Sequence, residues 1–220
     1  MEKFSPPIED YLKTIYLLRE RAGAATTTGI AAALEVTPAS VTGMIKKLAE
    51  LKLVRHTPYQ GVELTMSGEK IALEMVRHHR LLELFLMEAL GYTWDEVHSE
   101  AHVLEHVISE EFEERMAARL GNPTVDPHGD PIPAKDGTIA TVKERALLAM
   151  QVGESAQITH LNDTNSEMLR YAATLGLTPA TRLTLIAVEP FGGSLRVKIG
   201  KVEKSIGREL AAQIFVSSKG

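Results

Sequence analysis

The sequence predicts a mainly α-helical protein whose last third turns into a small β domain, in three parts at 1–66, 67–137 and 138–220. Apolar residues recur at steps of three and four from Ile8 to Leu51 and again between Ser67 and Leu120, the period of amphipathic helices. Four prolines crowd the stretch 122–137, the composition of a loop or domain boundary. Beyond it, β-branched residues gather in short alternating runs, the pattern of half-buried strands.

The first helix follows Pro6-Pro7, carries Ile8, Tyr11, Leu12, Ile15 and Leu18 on one stripe, and stops at Gly23. Asp10 lies off the centre of that stripe, beside Glu9. A short helix from about Thr28 to Leu34 and a tight turn at Glu35-Val36 lead to a third helix. Thr37 is its expected N-cap and Pro38 its first residue, with Val41, Met44, Ile45, Leu48 and Leu51 facing inward. Two strand-like runs then flank a turn around Pro58 to Gly61. Helix, helix-turn-helix and hairpin is the order of a winged helix-turn-helix. Ser40, Thr42, Gly43, Lys46 and Lys47 lie off the apolar stripe. With Thr37 and Ala39 at the helix start they are candidates to enter a DNA major groove, and Arg55 and His56 in the wing could meet phosphate. Helix–helix–hairpin units also serve as protein-binding modules, so a metal-responsive module without DNA contact is a rival reading.

A long helix is expected from Ser67, its N-cap, to about Leu90. Its apolar residues, Met75, Leu81, Leu82, Leu84, Phe85, Leu86 and Leu90, exceed one stripe, as when a helix is buried against its own domain and a second subunit. Trp94 to Ile108 reads as a second helix, and Ser109 with the acids behind it opens a third that ends near Gly121. In the last third, the runs that read as strands include Ser155 to His160, Arg182 to Val188, Ser194 to Ile199 and Ile214 to Val216. Gly192-Gly193 fits a hairpin turn, one helix is expected at about 165–175 and a short one at 207–212. Five short strands with tight turns predict an SH3-like small β-barrel.

The chain has 220 residues, 44% hydrophobic and 24% charged, with no cysteine. That excludes a disulfide framework and thiolate metal sites and suits a reducing cytoplasm. No apolar run reaches the roughly 18 residues of a membrane span. The net charge of −5 hides an asymmetry. Lys46, Lys47, Lys52 and Arg55 face only Glu50 between 37 and 62, whereas ten acidic residues outnumber two arginines between 81 and 120. A basic patch for polyanions stands beside an acidic middle for cations.

Five of the eight histidines lie between 78 and 106. On a helix, His98, His102, Glu105 and His106 would share one face, with Val103, Leu104 and Val107 on the other. His79 and Glu83, four apart, would share another. Imidazole and carboxylate are donors for a divalent transition ion. His128, in the proline-rich stretch, is expected to be a loop residue. His102-Val-Leu-Glu105-His106 also matches the H-x-x-E-H pattern of inverted zinc peptidases, in which the Glu is a general base. A zinc hydrolase is therefore a further rival, although a winged helix beside the motif argues against it.

Taken in order, Glu9 through Tyr16, the winged helix, His79-Arg80-Leu81 with Glu83, Val97-His98 through His106, and Pro127 through Pro133 resemble the diphtheria-toxin-repressor family of metal-activated transcription regulators. The resemblance runs through the last 65 or so residues, similar to that family's FeoA-type SH3-like barrel. It implies two metal sites: His79, Glu83 and His98 completed by a barrel carboxylate, best matched by Glu167, and Asp10 with His102, Glu105 and His106. Thr164-x-x-Glu167 also reads as a capping box. Arg170 falls where the family has a glutamine ligand, and Lys13 where its manganese branch has a second carboxylate. Asp10 and the lack of thiolate favour Mn(II) over Fe(II), with Zn(II), Co(II) or Cd(II) able to occupy the sites in vitro. The expected function is a metal-activated repressor of metal-transport genes, a cytoplasmic homodimer on a palindromic operator in double-stranded DNA, with no membrane contact. An Fe(II)-responsive repressor of the same family is the alternative.

Overall fold

A computed structural model describes residues 4–57, 61–162 and 165–217. Residues Pro58–Gln60 of the expected turn and the expected cap Thr164 lie outside the described residues. The chain divides into two compact units.

The first unit holds residues 1–78, 105–108 and 133–138. It contains α1 (Pro6–Ala22), α2 (Thr27–Ala33), α3 (Pro38–Glu50), the antiparallel pair β1 (Val54–Thr57) and β2 (Gly61–Leu64), and the start of α4 (Met66–Leu90). The element order is that of a winged helix-turn-helix. Thr26 and Thr37 cap α2 and α3 by accepting from Gly29 N and Ser40 N. α1 ends on Gly23 in the left-handed region, where a residue without Cβ is unstrained. Leu12, Ile15, Ile30, Val41, Ile45, Leu48, Val54 and Val62 make the core. Leu51, expected inward, is 43% exposed at the end of α3.

The cap of α4 is Thr65, two residues before the expected Ser67. The Thr65 hydroxyl accepts from Gly68 N at 3.2 Å and donates to Lys52 O at 2.8 Å, tying the helix start to the wing. Gly68 sits so close that a Cβ there would lie 2.0 Å from Leu53 O. Seven consecutive residues of α4, His78 to Leu84, are buried, so every face of those roughly two turns is covered and its polar side chains need partners.

The second unit holds residues 79–104, 109–132 and 139–220. It contains the rest of α4, α5 (Val97–Leu104), α6 (Glu110–Arg119), α7 (Ser166–Thr174), α8 (Arg208–Ala211) and a six-stranded sheet. The strands are β3 (Arg145–Ala146), β4 (Ser155–Leu161), β5 (Arg182–Val188), β6 (Leu195–Ile199), β7 (Val202–Ile206) and β8 (Ile214–Ser217), in the order β3-β8-β4-β5-β6-β7 with every pairing antiparallel. Five strands were expected. β3 is two residues long and β7, Val-Glu-Lys-Ser-Ile, is a charged edge strand, so neither shows a hydrophobic run. Leu147, Ile158, Leu161, Leu169, Leu183, Val197, Ile206 and Val216 fill the core. Asn165 caps α7 by accepting from Met168 N.

Two expectations fail in instructive ways. The helix expected over 94–108 is only Val97–Leu104; Glu105 and His106 lie in the turn after it. The Glu105 carbonyl faces the His78 ring at 3.2 Å, and Ser109 N-caps α6 instead of extending α5. The apolar side of this segment points outward, with Val103 66% and Val107 69% exposed, while Glu105 is buried.

The proline-rich stretch is not a loose linker. Val125 bridges Pro131, Ile132 N donates to Thr124 O, and Asp126 Oδ1 accepts from His128 N and Asp130 N at 2.8 and 2.9 Å. Gly129, at φ +93°, packs so tightly that a Cβ would fall 2.0 Å from Thr159 O, and Leu161 N donates to His128 O. His128, expected in a solvated loop, is fully buried.

Replacing Gly68 by Ala should destabilise the protein by about 2–4 kcal/mol in denaturant unfolding, since a methyl group cannot fit against the Leu53 carbonyl. A neutral result would show that the junction between wing and α4 yields.

Candidate metal centres and nucleic-acid interface

In the first unit, α1 brings Asp10 to the turn that follows α5. Carboxylate oxygens of Asp10 and Glu105 and a nitrogen of His106 lie within 4.8 Å of one another. His106 Nε2 is 3.1 Å from Asp10 Oδ1 and 3.6 Å from Glu105 Oε1. Its other nitrogen, Nδ1, donates to Glu9 Oε2 at 2.8 Å. With Nδ1 engaged by Glu9, Nε2 is the ring atom that faces two further carboxylates and could bind a cation between them. Asp10 Oδ1 is buried and accepts no hydrogen bond among the described residues. A lone pair and converging carboxylate oxygens are a donor set that fits a cation. Buried Lys13 pairs with Glu105 through its ammonium. His102, in the other unit, is exposed on α5.

The second unit holds another group. His79 Nε2 and His98 Nδ1 lie 3.0 and 3.1 Å from Glu83 Oε1 and 3.0 Å from each other. Neighbouring donors about 2.1 Å from an octahedral ion stand about 3.0 Å apart, so the triangle has the size of one face of such a shell. The rings meet edge to face at 73°. Glu83 is fully buried. Burial pushes its carboxyl up, but the His79 charge and the His128, His79 and His98 imidazoles outweigh that and hold it well below the usual carboxylate range.

The loop adds residues the sequence did not single out. His128 Nε2 donates to Trp94 O at 2.7 Å, which turns Nδ1 toward Glu83 Oε2 at 3.7 Å. Glu83, Asp126 and His128 form a further fully buried group with metal-ligand spacing. Arg80 donates to Pro131 O and Asp130 Oδ1 and lies 3.7 Å from Asp126 Oδ2. Burial and the Glu83 and Asp130 charges push the Asp126 carboxyl well above its ordinary range, against the pull of Arg80 and His128. The alternation Asp126-x-His128-x-Asp130 was the available signal, hidden by the prolines around it.

Glu167 is not brought to this group; it is exposed on the first turn of α7. Arg170 instead donates to Asp95 Oδ2 at 2.8 Å. The four donors expected on one helix face thus part: His98 joins His79 and Glu83, and Glu105 and His106 join Asp10. Sequence periodicity could not show this, because the helix ends between them. Glu9, which orients His106, was also missed.

On α3, Thr37, Ala39, Ser40, Thr42, Gly43, Lys46 and Lys47 are all exposed, as is Arg55 on β1. The Thr42 hydroxyl donates to Pro38 O, and the Thr37 and Ser40 hydroxyls pair with each other at 2.9 Å at the helix cap, so Lys46 and Lys47 offer the longest polar reach of this face.

Three family models match along the chain: iron-dependent repressor, N-terminal DNA-binding domain, over 3–62; iron-dependent repressor, metal-binding and dimerisation domain, over 65–134; and FeoA domain over 145–218. The iron-dependent repressor IdeR of Mycobacterium leprae is 31% identical over 221 residues, covering 94% of this chain and 95% of its own. The chain belongs to the diphtheria-toxin-repressor family. A solved manganese-dependent transcriptional repressor in complex with manganese is 41% identical with a TM-score of 0.90, over 95% of this chain and 98% of that one. The manganese regulator SloR is 34% identical with a TM-score of 0.80, over 98% and 100%. As a member of this family the protein is a metal-dependent transcriptional repressor, DNA is its partner and a divalent metal its cofactor. The family consists of DNA-binding repressors, so the H-x-x-E-H run is not a peptidase site. The FeoA match accords with the SH3-like reading of the last third.

Asp126→Asn keeps the Oδ1 acceptor and removes a buried charge. The raised carboxyl favours folding only while protonated, so stability is lost as pH rises through its folded-state value. In chelator-treated protein, thermal unfolding of the variant should show a flatter pH dependence and a gain of about 1–3 kcal/mol on the alkaline side.

Proposed function

We propose that the protein is a manganese-responsive repressor that acts as a cytoplasmic homodimer on a palindromic operator. In this reading 1–66 binds DNA, 67–137 dimerises and carries donors, and 138–220 is the FeoA-type domain. Asp10, Glu105 and His106 hold one divalent ion; His102, which the resemblance adds as a ligand, precedes Glu105 and His106 in the sequence, on α5. His79, Glu83 and His98 hold another, with His128 as their neighbour and Glu167 outside the set. The observation that carries the reading is the convergence of Asp10, from the first helix of the winged helix, with Glu105 and His106.

A bound divalent ion supplies the positive charge that two carboxylates and an imidazole lone pair share. The residues do the rest. Asp10 ties α1 to the turn after α5, Glu9 orients the His106 ring, and α3 presents Ser40, Lys46 and Lys47 to the groove and backbone. With α1 held, two recognition helices of a dimer can meet successive major grooves about 34 Å apart. The preference for Mn(II) over Fe(II) rests on Asp10 and on donors that are all nitrogen or oxygen. Exposed apolar side chains on the second unit, Leu90, Val103 and Phe112 among them, support a subunit interface. No helix among the described residues is long and apolar enough to cross a membrane.

Fluorescence anisotropy with operator DNA and buffered Mn(II) tests this. Asp10→Ala or His106→Ala should cost roughly 100-fold in metal-dependent DNA affinity while leaving the helical circular dichroism intact. Undiminished Mn(II)-dependent binding in both would overturn the assignment. Lys46→Ala or Lys47→Ala should weaken binding across sequences and lower the salt slope by about 1 each.

A further inference from the structure

Resting on the reading that Asp10, Glu105 and His106 take a divalent ion, we propose that the Lys13 ammonium is a permanent internal cation of this centre, which limits it to a single ion and raises the metal concentration at which it fills. Lys13 is 9% exposed and Glu105 1%. Lysine is almost never buried unless paired, and here the partner is a candidate ligand. The ammonium sits on Glu105 Oε1, the oxygen that lies 3.6 Å from His106 Nε2. Glu9, Asp10 and Lys13 fall at positions i, i+1 and i+4 of α1, so one helix delivers two carboxylates and a cation to one place.

Charge decides the capacity. Glu9 and Asp10 from α1 and Glu105 from the turn bring three negative charges, and Lys13 answers one. With neutral imidazoles, two negative charges remain, which a single divalent ion cancels. A second divalent ion would leave the pocket with two uncompensated positive charges in a half-buried place, which is strongly unfavourable. Charge also decides the affinity. An entering cation must share Glu105 with the ammonium and lie within contact range of it. The ammonium helps by holding Glu105 in position beforehand, but ordering one side chain counts for far less than repulsion from a divalent ion at that range. A neutral residue at 13 would therefore bind metal tighter, and an acidic one would admit another ion.

Mn(II) binding to the full-length protein, read by loss of the free Mn(II) paramagnetic resonance signal and by calorimetry, tests this. Lys13→Met should tighten the centre at least roughly tenfold with stoichiometry unchanged. Lys13→Gln, which leaves a hydrogen-bond donor for Glu105, should do the same and serves if the Met variant folds poorly. Lys13→Glu should bind one more Mn(II) per chain than wild type, and Lys13→Arg should retain wild-type affinity and stoichiometry. Unchanged or weaker binding in folded Lys13→Gln, or no added ion in Lys13→Glu, overturns the proposal. His106→Ala separates the two levels. If it binds as many ions as wild type and as tightly, the centre itself is misassigned; if it loses one ion while Lys13→Gln gains nothing, the role of Lys13 alone fails.

Discussion

A carboxylate taken wholly out of water has to be answered, by positive charge, by donors or by a proton of its own. Glu83 and Glu105 are two such groups, and much of the chemistry of this chain follows from how each is answered. Glu83 is met by imidazoles from α4, α5 and the proline-rich loop. Glu105 is met by the ammonium of Lys13. Both are dense with lone pairs and short of protons, the condition in which a divalent ion is the natural complement. Asp126 shows the third answer: beside Glu83 and Asp130, burial favours its protonated form.

The two centres differ in what they join. One gathers residues of the second unit alone, from α4, α5 and, through His128, the loop. It is braced by Arg80 and by the backbone of the loop that Asp126 organises. The other ties the first helix of the winged helix to residues 105–106, remote in sequence but within the same unit. Only the second has a lever on the recognition helix, because α1 packs in the same core as α3. In the proposed reading the first is accordingly a brace and the second a control point, a division of labour that would follow from where the donors are anchored rather than from their identities.

Much of this was legible in the sequence. The three helices and hairpin of the winged helix, the capping of α3 by Thr37 and of α6 by Ser109, and the strand runs of the last third all stand where spacing and turn residues put them. What escaped was decided by tertiary contact. The cap of α4 moved to Thr65 because its hydroxyl also reaches the wing. The helix after Trp94 was drawn too long because nothing in Leu104-Glu105-His106 breaks a helix; the break comes from the groups that capture Glu105. The edge strand β7 is too polar to show itself. The inward turn of His128 depends on an Asx-type turn and on Gly129 lying against β4, which a proline-rich composition disguises. The resemblance groups Asp10 with Glu105 and His106, and His79 with Glu83 and His98, and the same atoms converge in the structure, whereas Glu167 is exposed on α7 and lies outside those groups.

The atoms that converge at both centres are oxygens and ring nitrogens, and the chain contains no cysteine at all. A thiolate donor would climb the ladder from sulfenic to sulfonic acid under peroxide and release its ion with each step. Carboxylate and imidazole have no comparable ladder. Donor groups of this kind lose no ligand by that route.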